Sequence, residues 1–162
     1  MSVERSDSRL PVPMKGDILL GQVLSVGDKI STVLVSAMIR PNKAPEIVPL
    51  PRVTHAYIFK KDANFPCTRL SDILKLSDLV LGVVKIDWFR PVFISFEGEE
   101  FGIVAASCSQ CGASIPTPKG LNKLICPRCM STRETKVSSL YEPVLWREIH
   151  RRYRIHIYSS VQ

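Results

Sequence analysis

Two Cys-x-x-Cys pairs, Cys108/Cys111 and Cys126/Cys129, stand 14 residues apart in a chain of 162. Two thiolates so spaced on a tight turn point both sulfurs at one ion, and two such turns complete a tetrahedral zinc site. The ion then replaces the hydrophobic core that a stretch of about 22 residues cannot build for itself. Gly112 follows the first pair, where a residue free to take positive φ turns backbone N–H groups toward the sulfurs. Pro127 stiffens the second turn. Residues 115–119 and Leu124-Ile125 are expected as β arms around a Pro118-Lys119-Gly120 turn, the layout of a zinc ribbon. Four cysteine ligands leave no open coordination position, so the zinc is structural and not catalytic. A redox dithiol calls for one Cys-x-x-Cys at the start of a helix in a βαβ setting, and here two pairs stand in β-rich surroundings. Cys67 stands apart and is expected to be an idle thiol.

The rest of the chain is read around this cluster. No apolar run reaches the roughly 18 to 20 residues that a membrane-spanning helix needs. Residues 1–9 mix Glu4, Arg5, Asp7 and Arg9 with serines and lack the apolar core of a secretory signal. An intracellular address is expected, and thiols held reduced there argue against a disulfide framework. The net charge of +7 is unevenly placed: residues 1–107 hold 13 basic and 12 acidic groups, residues 108–162 hold 9 and 3. A basic last third suits a phosphate backbone or an acidic protein, and equally a solvated face.

Residues 1–14 are expected as a flexible lead-in. From Gly16, short β-type runs follow (Ile18, Leu20; Val23, Leu24; Val33, Val35), with Gly27-Asp28 placed for a hairpin turn. Residues 40–52 carry Pro41, Pro45, Pro49 and Pro51 and predict a long loop, because proline cannot sit in a central strand. Residues 56–59 resume a strand. Residues 71–76 predict a helical turn capped by Ser71 or Asp72, and residues 79–87 form the strongest strand pattern. Residues 92–96 and 101–105 predict a further strand pair joined by the acidic turn Glu97-Gly98-Glu99-Glu100. Short strands at this density, with no long helix, predict an all-β fold with a small OB-type barrel over residues 15–106, a ribbon over 107–137 and a basic C-terminal extension over 138–162.

Several of these stretches resemble one family. Lys15-Gly16-Asp17-Ile18 with Gly21-Gln22-Val23 resembles the first strand of the S-one type RNA-binding OB domain, and Ser77-Asp78-Leu79-Val80 with Val83-Val84 resembles its later strand. Residues 56–62 are similar to the central strand and turn. Phe101-Gly102-Ile103-Val104-Ala105-Ala106 then leads directly into Cys108. A barrel whose last strand runs into a four-cysteine ribbon resembles the zinc-ribbon cap subunits of the RNA exosome, the CSL-four type. The resemblance covers about residues 15–137. Ser77 and Ala56 stand where the family usually has glycine, and Met130 follows the second cysteine pair where glycine would be more comfortable. Family members carry a further N-terminal β domain against the ring, whereas 14 residues precede Lys15 here, so the ring contact is expected to differ. The resemblance implies a non-catalytic subunit seated on a ring of phosphorolytic-nuclease-type subunits, binding single-stranded RNA, lining the way in and docking accessory factors. It places the protein in the cytoplasm of an archaeon, or in the nucleus, nucleolus and cytoplasm of a eukaryote.

OB barrels hold single strands by stacking bases on exposed aromatic rings while Lys and Arg follow the phosphates. Tyr57 and Phe59 alternate with Ala56 and Ile58 and share one strand face. Facing outward they form a stacking platform flanked by Lys60, Lys61 and Arg69; facing inward they are core. Trp88 and Phe89 beside Arg90 pose the same question, with core or subunit contact favoured. Lys119, Lys123 and Arg128, with Arg133 and Lys136, are the candidate basic contacts of the ribbon. In the tail, Pro143 opens a possible helix bearing Leu145, Ile149 and Tyr153 on one side. From Tyr153 the alternation with Ile155 and Ile157 predicts a strand instead. Arg147, Arg151, Arg152 and Arg154 are offered to a partner in either form, and His150 and His156 are expected at the surface. Glu97, Glu99 and Glu100 crowd one turn and are better explained by solvation than by acid–base chemistry. A protein-binding adaptor of another RNA machine, ribosomal or transcriptional, is the alternative role.

Overall fold

The computed structural model describes residues 12–41, 46–86 and 91–161. Trp88, Phe89, Arg90 and most of the expected lead-in therefore lie outside the described residues. Six strands form the main sheet: β1 (Ile18–Val26), β2 (Ile30–Arg40), β3 (Glu46–Phe59), β4 (Leu79–Val84), β5 (Val92–Ser95) and β6 (Gly102–Ala105). β1, β2 and β3 run antiparallel in sequence; β5 joins β3 in parallel at Ala56–Tyr57, and β4 pairs with both β5 and β1. That closes a five-stranded barrel in the order β1-β2-β3-β5-β4, with β6 added beside β4. The all-β barrel with an appended four-cysteine ribbon expected from sequence is the architecture observed.

Alternation explains the barrel core. Val33, Val35, Ala56, Ile58, Leu81 and Ile94 are sealed inside with Phe96 and Ile103, while Thr32, Tyr57 and Phe93 keep partial exposure on the other face of the same strands. Each fully buried aliphatic or aromatic side chain contributes roughly 1.5 to 3 kcal/mol of transfer free energy.

Three local expectations are corrected. The loop expected over residues 40–52 is strand at both ends: β2 extends to Arg40, β3 begins at Glu46 and Pro49 pairs with Ala37, while residues 42–45 lie outside the described residues. β5 reaches β3 only at Ala56–Tyr57, so the first half of β3 has a ladder partner on one side and tolerates prolines on the other. Residues 92–96 and 101–105 do not pair with each other; β5 and β6 both pair with β4. The short turn near residue 71 is a 3-10 turn over Leu70–Asp72, with the Asp72 carboxylate accepting the Arg69 backbone N–H at 3.2 Å.

The tail is also corrected. Pro143–Val161 is one helix, α1, and it continues through the region where alternation predicted a strand. Alternation over five residues is a weak signal beside the packing of α1 on β2, β3 and β6. The Trp146 indole donates to the Leu140 carbonyl at 2.8 Å, and Arg147 donates to the Ala106 carbonyl and the Ser107 and Ser114 hydroxyls, pinning the helix to the barrel–ribbon junction. His150 is not at the surface: it is 6% exposed and lies 3.2 Å from Gln22 Oε1 of β1. The side chains of Ile155, His156 and Ile157 lie outside those described. No helix among the described residues is long and apolar enough to cross a membrane.

Barrel and ribbon are joined by a buried ion pair. The Asp78 carboxylate accepts the Lys75 backbone N–H at 2.9 Å and a two-pronged contact from the Arg133 guanidinium, which also donates to the Ile73 carbonyl at 2.7 Å. Thr135 Oγ1 donates to the same carbonyl at 2.8 Å. Burial pushes the Asp78 carboxyl up from its ordinary value, and Arg133 pulls it back. Beyond the ribbon the chain runs beside β6, with Ile103 N–H donating to the Lys136 carbonyl at 2.9 Å. Gly102 makes this approach possible, since a Cβ there would stand 2.5 Å from that carbonyl oxygen.

Arg133→Met leaves the Asp78 carboxylate buried without its partner, and we expect a loss of about 3 to 5 kcal/mol in urea unfolding. Adding Asp78→Leu is expected to recover much of it, because a matched apolar pair leaves no stranded charge. Burial, with Arg154 nearby, lowers the His150 pKa to about 4. The unfolded chain therefore binds more protons than the native one between about pH 6.5 and 4, and stability falls as pH drops through that window. His150→Gln is expected to flatten this part of the pH–stability curve.

Candidate functional site

The ribbon is built from two turns and one small hairpin. β7 (Lys123–Ile125) and β8 (Thr132–Glu134) pair antiparallel and carry Cys126 and Cys129 in the turn between them. Residues 115–119 supply no strand, contrary to the expected first arm; a single bridge, Ser107 to Ser114, closes the first turn instead. The two turns are made alike. Gly112 N–H donates to the Cys108 carbonyl and Met130 N–H to the Cys126 carbonyl, each at 2.9 Å. Gly112 has φ +78° and Met130 φ +65°, so the residue after each pair takes the left-handed conformation that suits a glycine.

These turns bring Cys108, Cys111, Cys126 and Cys129 together, with all four sulfurs within 4.8 Å of one another. Cys108–Cys129 and Cys111–Cys126 are 3.5 Å apart, too far for disulfide bonds. A tetrahedron of metal–sulfur bonds about 2.3 Å long has edges of about 3.8 Å, so the donor set fits one thiophilic ion. Backbone N–H groups already face the sulfurs: Gln110 donates to Cys108 at 3.3 Å, and Arg128 and Cys129 donate to Cys126 at 3.4 and 3.5 Å. Ser131 Oγ, with the backbone N–H groups of Cys111 and Gln110, brings the Cys108 thiol down to about 6. The Cys129 N–H lowers Cys126. Cys111, in spite of the Ala113 N–H, is pushed up to about 11 by the Cys126 thiol and by burial. A cluster in which some thiols ionise readily and another holds its proton against them is one that a divalent cation completes by displacing that proton. Cys67 is half-buried and free, packed against the core away from this cluster.

The second candidate surface lies on the barrel. Ala56 and Ile58 are buried and Tyr57 and Phe59 half-exposed, so the two rings face outward. Phe93 of β5 joins them: its ring stacks on Phe59 at 5.0 Å and 21° and meets Tyr57 at 6.3 Å. Lys61 Nζ stands 6.0 Å from the Phe59 ring centroid. Lys85 N–H donates to the Phe93 carbonyl at 3.0 Å, which continues the β4–β5 ladder and sets the Lys85 side chain on the ring face. Its Nζ is 2.6 Å from Asp62 Oδ1. Lys60 and Arg69 are tied locally, Lys60 donating to the Thr68 carbonyl at 2.9 Å and Arg69 to the Asp72 carboxylate at 3.3 Å. Phe93 and Lys85 were missed by sequence reasoning. Phe93 alternates with two apolar neighbours like any barrel residue, and only the parallel β3–β5 pairing brings it beside Tyr57.

The basic excess of the last third is partly internal. Arg133 holds Asp78, Lys136 Nζ is buried and donates to the Gly98 and Phe101 carbonyls at 2.7 and 2.6 Å, and Arg147 holds the helix. Desolvation lowers the Lys136 pKa, with Glu100 and Glu99 opposing it. Arg133 and Lys136 are thus removed from the candidate ribbon contacts, while Lys119 and Arg128 are exposed and Lys123 half-exposed on the ribbon.

The chain that folds into this closed barrel and four-cysteine ribbon has a sequence relative among characterised proteins. The chain is similar to the exosome component Csl4. To exosome complex component Csl4 of Archaeoglobus fulgidus it is 26% identical over 151 residues, which span 89% of this chain and 76% of the relative. No family model matches the sequence. The likeness to Csl4 takes in both barrel and ribbon, and with the four sulfurs assembled as found it bears out the resemblance drawn from the sequence.

Met130 carries a side chain in a conformation that costs a non-glycine residue about 1 to 2 kcal/mol, and at 66% exposure it recovers little by burial. Against the roughly 0.5 to 1 kcal/mol of extra chain entropy that glycine loses on folding, Met130→Gly is expected to raise stability by up to about 1 kcal/mol. Thermal unfolding of the metal-loaded protein checks this.

Proposed function

We propose that this protein is a non-catalytic, RNA-binding cap subunit of an exosome-like 3′ to 5′ RNA-degrading complex, in which other subunits cut the RNA. The observation that carries the proposal is the outward row of Tyr57, Phe59 and Phe93, flanked by Lys61 and Lys85 on an OB-type barrel. Stacking on flat rings tolerates every base, which favours single-stranded RNA of loose sequence preference. The ion in the ribbon is proposed to be zinc, one per chain, with a purely structural role because four cysteines fill its coordination shell. Similarity to an exosome complex component supports association with an exosome-like complex; a ring of phosphorolytic-nuclease-type subunits is the proposed partner and the interior of the cell the proposed setting. Docking of accessory protein factors is supported by apolar side chains left in solvent, Leu121 at 90% exposure on the ribbon and Val144 at 82% on α1. These same residues favour the adaptor role should RNA binding fail.

Fluorescence anisotropy with a labelled single-stranded RNA tests the reading. Affinity is expected to fall steeply with added salt, and Tyr57→Ala and Phe93→Ala are each expected to weaken binding by about 1 to 3 kcal/mol while leaving the melting transition close to wild type. An affinity too weak to measure at low salt, or one indifferent to both substitutions, sinks the platform and leaves the adaptor. Metal analysis is expected to return about one tightly held zinc per chain.

A further inference from the structure

A divalent ion bound by four thiolates leaves two negative charges in the ribbon, and hydrogen-bond donors around the sulfurs are what stabilise such a centre. The donors are unevenly shared. Cys126 Sγ receives the backbone N–H groups of Arg128 and Cys129, and Cys108 Sγ those of Gln110 and Cys111. Cys129, exposed at the outer end of the cluster, faces a different kind of donor: Ser131 Oγ lies 3.2 Å from Cys129 Sγ and 3.1 Å from Cys108 Sγ. It bridges the edge of the tetrahedron formed by the first cysteine of one pair and the second of the other. Ser131 also closes the turn through its backbone, its carbonyl accepting the Cys126 N–H at 2.9 Å, which holds the hydroxyl against the sulfurs. A small recess lined by Ser107, Gln110, Leu124, Ser131 and Thr132 opens beside Cys108, and Cys129 at the other end of this edge is exposed.

We propose that Ser131 is a positioning residue for the metal centre: its hydroxyl donates to the thiolates of Cys108 and Cys129 and sets how tightly the ion is held at the solvent side. Metal-bound thiolates carry no proton, so the direction of the bond is settled once the ion is in place, and the single hydroxyl proton is shared across the edge. The inference rests on the reading of the cluster as a zinc site, and the experiment separates the two. Zinc affinity of the full chain is measured by competition with a chromogenic chelator, and the sulfur-to-cobalt charge-transfer band is recorded after loading with Co2+.

Ser131→Ala is expected to weaken zinc binding by about 10- to 100-fold and to move the charge-transfer band to lower energy, because a thiolate relieved of its hydrogen bond donates charge more readily. Ser131→Thr, which keeps the hydroxyl, is expected to hold both readouts near wild type. The band position is a readout that a merely structural role would not move. If wild type binds neither zinc nor cobalt, the metal reading itself fails. If wild type binds both ions and Ser131→Ala matches it in affinity and band position, the inference fails alone. Loss of metal by Ser131→Thr to the same degree as by Ser131→Ala overturns it as well, since the hydroxyl is then not what matters.

Discussion

One buried carboxylate joins the two halves of this protein. Asp78 sits just before β4, the strand that closes the barrel against β1, and its side chain is turned inward to meet Arg133 of the ribbon hairpin. A carboxylate so placed is costly unless it is fully paired. The Lys75 N–H and the Arg133 guanidinium supply the pairing, and the Ile73 carbonyl receives both Arg133 and Thr135. A ribbon with almost no apolar core of its own is thereby held to a barrel that has one. The four-cysteine cluster gives the ribbon its shape, and Asp78 gives that shape a fixed position.

The same junction organises the C-terminal part of the chain. After β8 the backbone passes along β6, with Lys136 buried over the 98–101 turn and Ser138 donating to the Glu100 carbonyl at 2.7 Å. It then enters α1, whose Trp146 and His150 face the barrel. Three of the charges that look available for a polyanion in the sequence, Arg133, Lys136 and Arg147, are in this way consumed in holding the ribbon and the C-terminal segment down. The proposed RNA surface accordingly lies on the barrel, where Tyr57, Phe59 and Phe93 offer stacking and Lys61 and Lys85 stand beside them for the phosphates.

Much of this was legible beforehand because it depends on local chemistry. The Cys-x-x-Cys turns need a left-handed residue after each pair, and Gly112 and Met130 both supply it; Ser77, standing where glycine is usual, also has positive φ, at +73°. Strand alternation placed Ala56 and Ile58 on one face and Tyr57 and Phe59 on the other. Prolines misled at residues 46–52, since their cost depends on whether a second strand lies alongside, and that is a property of the sheet rather than of the segment. Alternation misled at Tyr153, where a helix docked on the barrel outweighed a short period-two pattern.

The sequence by itself determined that four sulfurs would converge and that a small barrel would stand before them, because spacing and alternation act over a few residues. Tertiary structure alone decided that the rings of β3 face outward and are completed by Phe93 and Lys85. It also decided that Arg133 and Lys136 serve the fold and that His150 is buried. Each of these depends on which distant strand or helix lies opposite, and burial and pairing across such distances leave no periodic trace in a single chain.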